Sequence, residues 1–137
     1  MAHTVKAVFK KGRHFSVLVN GHTIEVDATK ENGGENLGPS PKIFMLLSLA
    51  GCTGFDIVSM LQKMRVEFSA FSVKVDGALS DGEPSIYNHV IIHYSIKLSE
   101  ANRAKMEKAV QLSKEKYCGV SKMFEAFSKV DFDITYL

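Results

Sequence analysis

Ser40-Pro41-Lys42-Ile43-Phe44-Met45-Leu46-Leu47-Ser48-Leu49-Ala50-Gly51-Cys52-Thr53-Gly54-Phe55-Asp56 is the stretch on which the fold turns. Ser40 suits an N-cap and Pro41 the first helical position, so a helix is expected to start there and run to about Met64. Its first half is apolar on nearly every face, and Ile43 to Leu61 is long enough to span a bilayer. Gly51, Gly54 and the mid-span Asp56 argue against that, since an Asp at the bilayer centre costs roughly 2.5–3.5 kcal/mol. The expectation is a helix buried on all sides with no membrane involved. A small α+β monomer has difficulty surrounding such a helix, so it should pack against a second copy, giving a homodimer with a large apolar interface.

Outward from this helix the pattern has period two. Val5, Ala7 and Phe9, then Phe15, Val17 and Val19, then Ile24 and Val26 read as strands, with Asn20-Gly21 as a hairpin turn, so a three-stranded antiparallel meander is predicted. Ala28 to Pro39 has turn chemistry without periodicity and is expected to be a mobile loop. After the helix, Glu67 to Leu79 and Ser85 to Leu98 are long strands joined by a turn at Ser80-Asp81-Gly82-Glu83-Pro84. Phe71, Val73 and Val75 should share one face, as should Val90, Ile92, Tyr94 and Ile96. From Ser99, read as a cap, the pattern becomes helical through Met106, Ala109, Val110 and Leu112; Gly119 interrupts it, and a short helix from about Val120 to Phe127 precedes a last strand through Val130, Phe132, Ile134 and Tyr136. The order βββ-α-ββ-αα-β predicts an α+β fold with antiparallel sheets.

At 137 residues and 45% hydrophobic content the chain is expected to form one domain, residues 1–137, that needs no disulfide staple. Its 17 basic and 15 acidic residues are interspersed, so no basic stripe suggests nucleic acid. The first residues run straight into a strand pattern rather than a secretory leader, which gives a cytoplasmic expectation. Two cysteines in a reducing compartment are more often free or catalytic than structural.

The chemistry narrows by elimination. His89 and His93 have the spacing of helical zinc ligands, but on a strand they stand about 13 Å apart, too far for one ion. Gly33-Gly34 lacks the spacing of a phosphate loop, and no Gly-x-Ser-x-Gly elbow occurs. No metal or cofactor is expected. Cys52 and Cys118 remain. A free cysteine among apolar neighbours is usually inert packing, whereas two that meet are the minimum equipment for reversible redox chemistry, and no local Cys-x-x-Cys motif decides between these.

Ser40-Pro41, the run from Leu46 to Val58 containing Ala50-Gly51-Cys52-Thr53, Lys63-Met64-Arg65, and Glu115-Lys116-Tyr117-Cys118-Gly119-Val120-Ser121 together resemble the OsmC/Ohr family of peroxide-reducing proteins, with the Ala-Gly-Cys-Thr form similar to its YhfA-like branch. The resemblance implies an intertwined dimer whose central helices are enclosed by sheets from both subunits. It also implies that Cys52 is the peroxidatic cysteine and Cys118 the resolving one, with a small organic hydroperoxide as substrate and a dithiol, including lipoyl groups, as reductant. Arg13 lies near where the family's peroxidases place an Arg. Their partner Glu, one turn into the helix, is replaced here by Lys42 and Ile43; Lys42 could itself supply a positive charge, and Glu35 of the loop could stand in for the carboxylate. Two other functions are compatible with such a chain: a catalytically weakened dimer binding an apolar small molecule at its interface, and a thiol redox sensor.

Overall fold

A computed structural model describes residues 1–137. The chain forms two compact units, Met1–Met45 and Leu46–Leu137.

The first unit is a meander of β1 (Val5–Lys11), β2 (His14–Val19) and β3 (His22–Val26), antiparallel in the order β1-β2-β3. Asn20 and Gly21 both have positive φ, 47° and 78°, the geometry that a two-residue hairpin turn demands. Phe9 and Phe15, paired across β1 and β2, meet edge to face at 5.5 Å.

The segment expected to be mobile is instead tied to one residue. Asp27, 1% exposed, accepts the backbone N–H groups of Ala28, Glu35 and Leu37 at 2.7, 3.1 and 3.1 Å, while its own N–H donates to the Pro39 carbonyl at 3.2 Å. Burial acts to raise the Asp27 pKa, but the three N–H donors outweigh it and hold the carboxyl below its usual value. Gly34 lets the chain close on itself here, because a Cβ would lie 2.1 Å from the Ala28 carbonyl oxygen. Polar side chains mark a turn in sequence, but a single carboxylate collecting its donors is visible only once the turn has closed.

The helix α1 (Ile43–Lys63), which lies in the second unit from Leu46 onward, starts two residues later than the Ser40-Pro41 signal indicates, because Pro41 and Lys42 accept tight i+3 bonds from Phe44 and Met45. Its end is a Schellman motif: Arg65 takes φ 57°, its N–H bonds Gln62 O at 3.0 Å, and the Val66 N–H bonds Leu61 O at 2.9 Å. The motif turns buried Val66 in beside Leu61 and starts the following strand.

β4 (Phe68–Leu79), β5 (Tyr87–Leu98) and β6 (Lys129–Tyr136) form the second sheet in that order. β4 and β5 are antiparallel, with a bulge between Ser69 and Ser72 where Ala70 has φ 51°. β5 and β6 are parallel, which departs from the antiparallel expectation for a topological reason. The chain leaving β5 passes through α2 (Arg103–Leu112) and α3 (Gly119–Glu125) before re-entering the sheet, and a helical crossover delivers a parallel strand. Ser99 does not cap α2 with its side chain; its carbonyl accepts Asn102 N–H in a 3₁₀ turn and α2 begins at Arg103. Val90, Ile92, Tyr94 and Ile96 are buried on one face of β5 as predicted, against Leu49, Ile57 and Leu61 of α1 and Met106, Ala109 and Val110 of α2. On the other face His93 is held between Asp133 at 2.8 Å and Asp76 at 3.0 Å, and His89 bonds Asp131 at 2.7 Å, so each histidine of the rejected metal spacing has a carboxylate partner.

Only one stripe of α1 is buried: Leu49, Thr53, Ile57 and Leu61 at successive i+4 positions. Within the single chain, the expected burial on all faces does not occur. Leu47 is 61% and Phe55 81% exposed, and of the most apolar 18-residue window only 17% is buried. By length and composition alone, this one helix is long and apolar enough to cross a membrane.

Asp27→Asn, which keeps the size but loses the charge that three N–H groups share, should speed amide exchange from Ala28 to Leu37 while leaving the β1–β2 ladder protected. Hydrogen exchange followed by mass spectrometry reads both. Since the Asp27 pKa is depressed in the folded chain, its contribution is present above the unfolded carboxyl pKa and is lost as pH falls through the folded value, so wild-type exchange in this loop should approach the variant's in acid.

Candidate active site

Cys52 lies on α1 beside the buried Thr53, half-buried itself, and Cys118 is 3% exposed. What brings Cys118 to α1 is a defect in the helix before it. After Leu112 the backbone widens into a π turn, Ser113–Tyr117, closed by the Cys118 N–H bonding Ser113 O at 2.8 Å. Cys118 is then extended, with φ −81° and ψ 99°, and its sulfur caps α3 by accepting the Ser121 N–H at 3.3 Å, a place usually filled by Ser, Thr or Asp. The interruption assigned to Gly119 from sequence is therefore made by the π turn and by Cys118. Gly119 itself opens α3, and a Cβ there would meet nothing.

The two sulfurs and a carboxylate oxygen of Asp56 all lie within 4.8 Å of one another, and both cysteines are free. Asp56 shares a helix face with Cys52 because it follows at i+4. Ser113 donates to Asp56 Oδ2 at 3.0 Å and shares a bond of 2.9 Å with Thr53 Oγ1, which in turn meets the Tyr94 hydroxyl at 2.6 Å. Each hydroxyl has one proton, so with Ser113 committed to Asp56 the direction is fixed: Tyr94 donates to Thr53, Thr53 to Ser113, and Ser113 to the carboxylate. Burial pushes the Tyr94 phenol up to about 12, which keeps it a donor.

Burial also pushes the Cys118 thiol up to about 12; the Ser121 N–H opposes this, and the facing Cys52 sulfur and the Asp56 charge add to it. Cys118 thus stays protonated, with its S–H available to the Cys52 sulfur. The pair is asymmetric, with Cys52 half-buried and Cys118 enclosed. From Asp56 a cleft of about 360 Å³ opens, lined by Met60, Met64, Leu112 and Tyr117 with Lys63 and Lys108. Cys52, Asp56 and Cys118 are also donors of the type that a thiophilic divalent ion accepts, one fewer than a closed tetrahedral site uses.

Arg13 belongs to the first unit, in the turn between β1 and β2, where with Lys11, His14, Asp27 and Glu35 it lines a cavity of about 100 Å³. Glu35, the substitute carboxylate considered from sequence, is ion-paired with Lys11 at 3.0 Å. Sequence reasoning used Asp56 only as a charge unsuited to a membrane and missed its place in the site. The signal was present in its i+4 spacing from Cys52. Thr53, Ser113 and Tyr94 carry no such local signal, because they come from α1, the π turn and β5.

In a Cys52→Ser variant, burial still governs Cys118, so its alkylation by iodoacetamide should be slow at neutral pH and still climbing at about pH 10. The same protein in urea should react as an ordinary thiol. A folded-state rate matching the urea rate at neutral pH would contradict the enclosure of Cys118.

The family model for OsmC-like proteins matches residues 32–133. The protein YhfA of Escherichia coli is 34% identical over 106 residues, which span 77% of this chain and 76% of YhfA. Among solved structures, an OsmC-like protein of unknown function from Vibrio cholerae aligns with a TM-score of 0.82 at 15% identity, over 98% of this chain and 99% of that one. An organic hydroperoxide resistance protein from Legionella pneumophila aligns with a TM-score of 0.69 at 16% identity, over 98% and 97%. At those identities the structures speak for the fold, while the family match and the similarity to YhfA speak for descent: this chain belongs to the OsmC-like family.

Proposed function

We propose that this protein reduces organic hydroperoxides by two-cysteine chemistry. The observation that carries this reading is the approach of the Cys52 and Cys118 sulfurs to within 4.8 Å while both are free. The Cys52 thiolate attacks the distal peroxide oxygen. The O–O bond breaks, the alcohol leaves, and Cys52 becomes a sulfenic acid. Cys118 displaces water from that sulfur to form a disulfide, which an external dithiol, including a lipoyl group, reduces by thiol exchange. The similarity in fold to a protein named for organic hydroperoxide resistance supports this choice of substrate class. So does the cleft beside the site, whose Met60, Met64 and Leu112 suit an organic group better than hydrogen peroxide.

The working form in this proposal is a homodimer. α1 presents Leu47, Gly51 and Phe55 on its exposed side, a contiguous apolar strip with a small residue at its middle that lets a second helix approach closely. A second copy covering this strip would also restrict access to Cys52 to small molecules.

Intact mass after one equivalent of tert-butyl hydroperoxide, with hydrogen peroxide in parallel, tests the chemistry. Wild type should lose the mass of two hydrogens, faster with the organic peroxide. Cys52→Ser should show no change, and Cys118→Ser should gain one oxygen that a sulfenic-acid trap captures. An unchanged wild-type mass after minutes would refute the peroxidase reading. For assembly, sedimentation should give a dimer at micromolar concentration, and Phe55→Asp should weaken it by about 2 kcal/mol or more, about 30-fold in Kd, as for a central aromatic anchor. A wild-type protein sedimenting at 15.2 kDa would remove the dimer.

A further inference from the structure

We propose that Asp56 is the base of the resolving step: its carboxylate takes the proton from the Cys118 thiol and passes it to the group that leaves Cys52. Geometry carries the assignment. A carboxylate oxygen of Asp56 is within 4.8 Å of both sulfurs at once, so one group can collect a proton at one sulfur and deliver it at the other. The Ser113 bond to Oδ2 at 3.0 Å, backed by Thr53 and Tyr94, holds the carboxylate in place through a donor whose single proton is already committed.

The step needs such a group. When Cys118 attacks the Cys52 sulfenic acid, the Cys118 sulfur lone pair forms the S–S bond and the S–O bond of Cys52 breaks with its electron pair on oxygen. The departing hydroxide needs a proton to leave as water, and Cys118 must lose one. The hydroperoxide has already supplied the oxidising equivalent, so no further oxidant enters. At a sulfur this enclosed the thiolate is scarce, since burial drives the Cys118 pKa up to about 12. Solvent hydroxide has poor access to it. The titratable groups around Asp56 are Cys52 and Lys63 on α1, Lys108 on α2, Tyr117 and Cys118 from the π turn onward, and Tyr94 on β5. Asp56 brings the only carboxylate to this set, the side chain suited to accept a proton rather than to donate one.

The inference rests on the two-cysteine reading above, but it can be tested without peroxide. Methyl methanethiosulfonate loads Cys52 as a methyl disulfide, and attack by Cys118 then expels methanethiol, a leaving group that also needs a proton. Acid quenching and intact mass follow the conversion of the methylthio adduct to the internal disulfide. With Asp56 as base, the wild-type rate should hold a plateau across neutral pH, and Asp56→Asn should be about 10²-fold slower there. The variant's rate should then rise about tenfold per pH unit and approach wild type in alkali, because hydroxide replaces the missing base. Asp56→Glu should recover much of the loss.

Electrostatics alone predicts the opposite sign. The Asp56 charge raises the Cys118 pKa, so its removal should make the thiolate more available and the variant faster. An Asp56→Asn rate equal to or above wild type would overturn the proposal, as would slowing by the same factor at every pH, which means displacement of Cys118. Should the variant fail to fold, a wild-type rate that falls log-linearly through neutral pH, with no plateau, would overturn it equally. The result with tert-butyl hydroperoxide separates the two ideas: Asp56-dependent resolution of the methyl disulfide in a protein inert to peroxide would leave this inference standing and remove the peroxidase.

Discussion

The buried Thr53 hydroxyl is the point at which α1, the second sheet and the crossover are held in register. It bonds Tyr94 of β5 at 2.6 Å and Ser113 at the start of the π turn at 2.9 Å, all in a region with almost no water access. Apolar contacts would permit α1 to slide or rotate against β5 at little cost, because they are non-directional. A hydroxyl pair inside the core does not, since a shift of one residue would leave Tyr94, Thr53 and Ser113 with unsatisfied polar atoms at about 1–3 kcal/mol each. The register of Cys52, one residue before Thr53, is fixed by this seam. So is that of Cys118, because Ser113 both closes the π turn through its carbonyl and joins the seam through its side chain.

The same helix serves two purposes on opposite sides. Its Leu49, Thr53, Ile57, Leu61 stripe closes the core of the chain, and its Leu47, Gly51, Phe55 strip is left outside. Composition cannot separate these, because both sides are apolar and a periodicity argument sees one continuous hydrophobic run. Burying Phe55 fully would stabilise an assembly by roughly 1.5–3 kcal/mol on each chain.

Much of this was legible in sequence where a rule is local. Asn20-Gly21 specified its hairpin because positive φ at two successive positions has few solutions, and Val90, Ile92, Tyr94 and Ile96 specified the inner face of β5 because strand periodicity is strict. The element order followed, and the motifs around Cys52 and Cys118 identified the family. What escaped was the collective geometry. The loop after Asp27 looked mobile because its residues are polar, yet one buried carboxylate gathers its amides. The break before α3 was assigned to Gly119 because glycine is the usual breaker, but the π turn placed it one residue earlier and so made the sulfur of Cys118 a cap. Arg13 and the Lys42/Ile43 pair were weighed through family pattern alone, while the carboxylate beside the sulfurs, Asp56, was spaced one helical turn from Cys52.

The asymmetry of the two sulfurs sets the order of events in the proposed chemistry. Burial raises the Cys118 pKa and leaves less thiolate at neutral pH, and the greater basicity of that thiolate recovers only part of the loss in nucleophilicity. Cys118 is therefore a poor first attacker even before its enclosure is counted, and in the proposed chemistry the first oxidation falls to Cys52. Once Cys52 carries a leaving group the balance changes, because attack becomes intramolecular, at the high effective concentration that fixed proximity provides. In the proposed chemistry the deficit in thiolate is then a matter of moving one proton, and the Asp56 carboxylate has an oxygen within 4.8 Å of both sulfurs. Burial that would silence a lone cysteine here keeps the second thiol in reserve until the first has reacted.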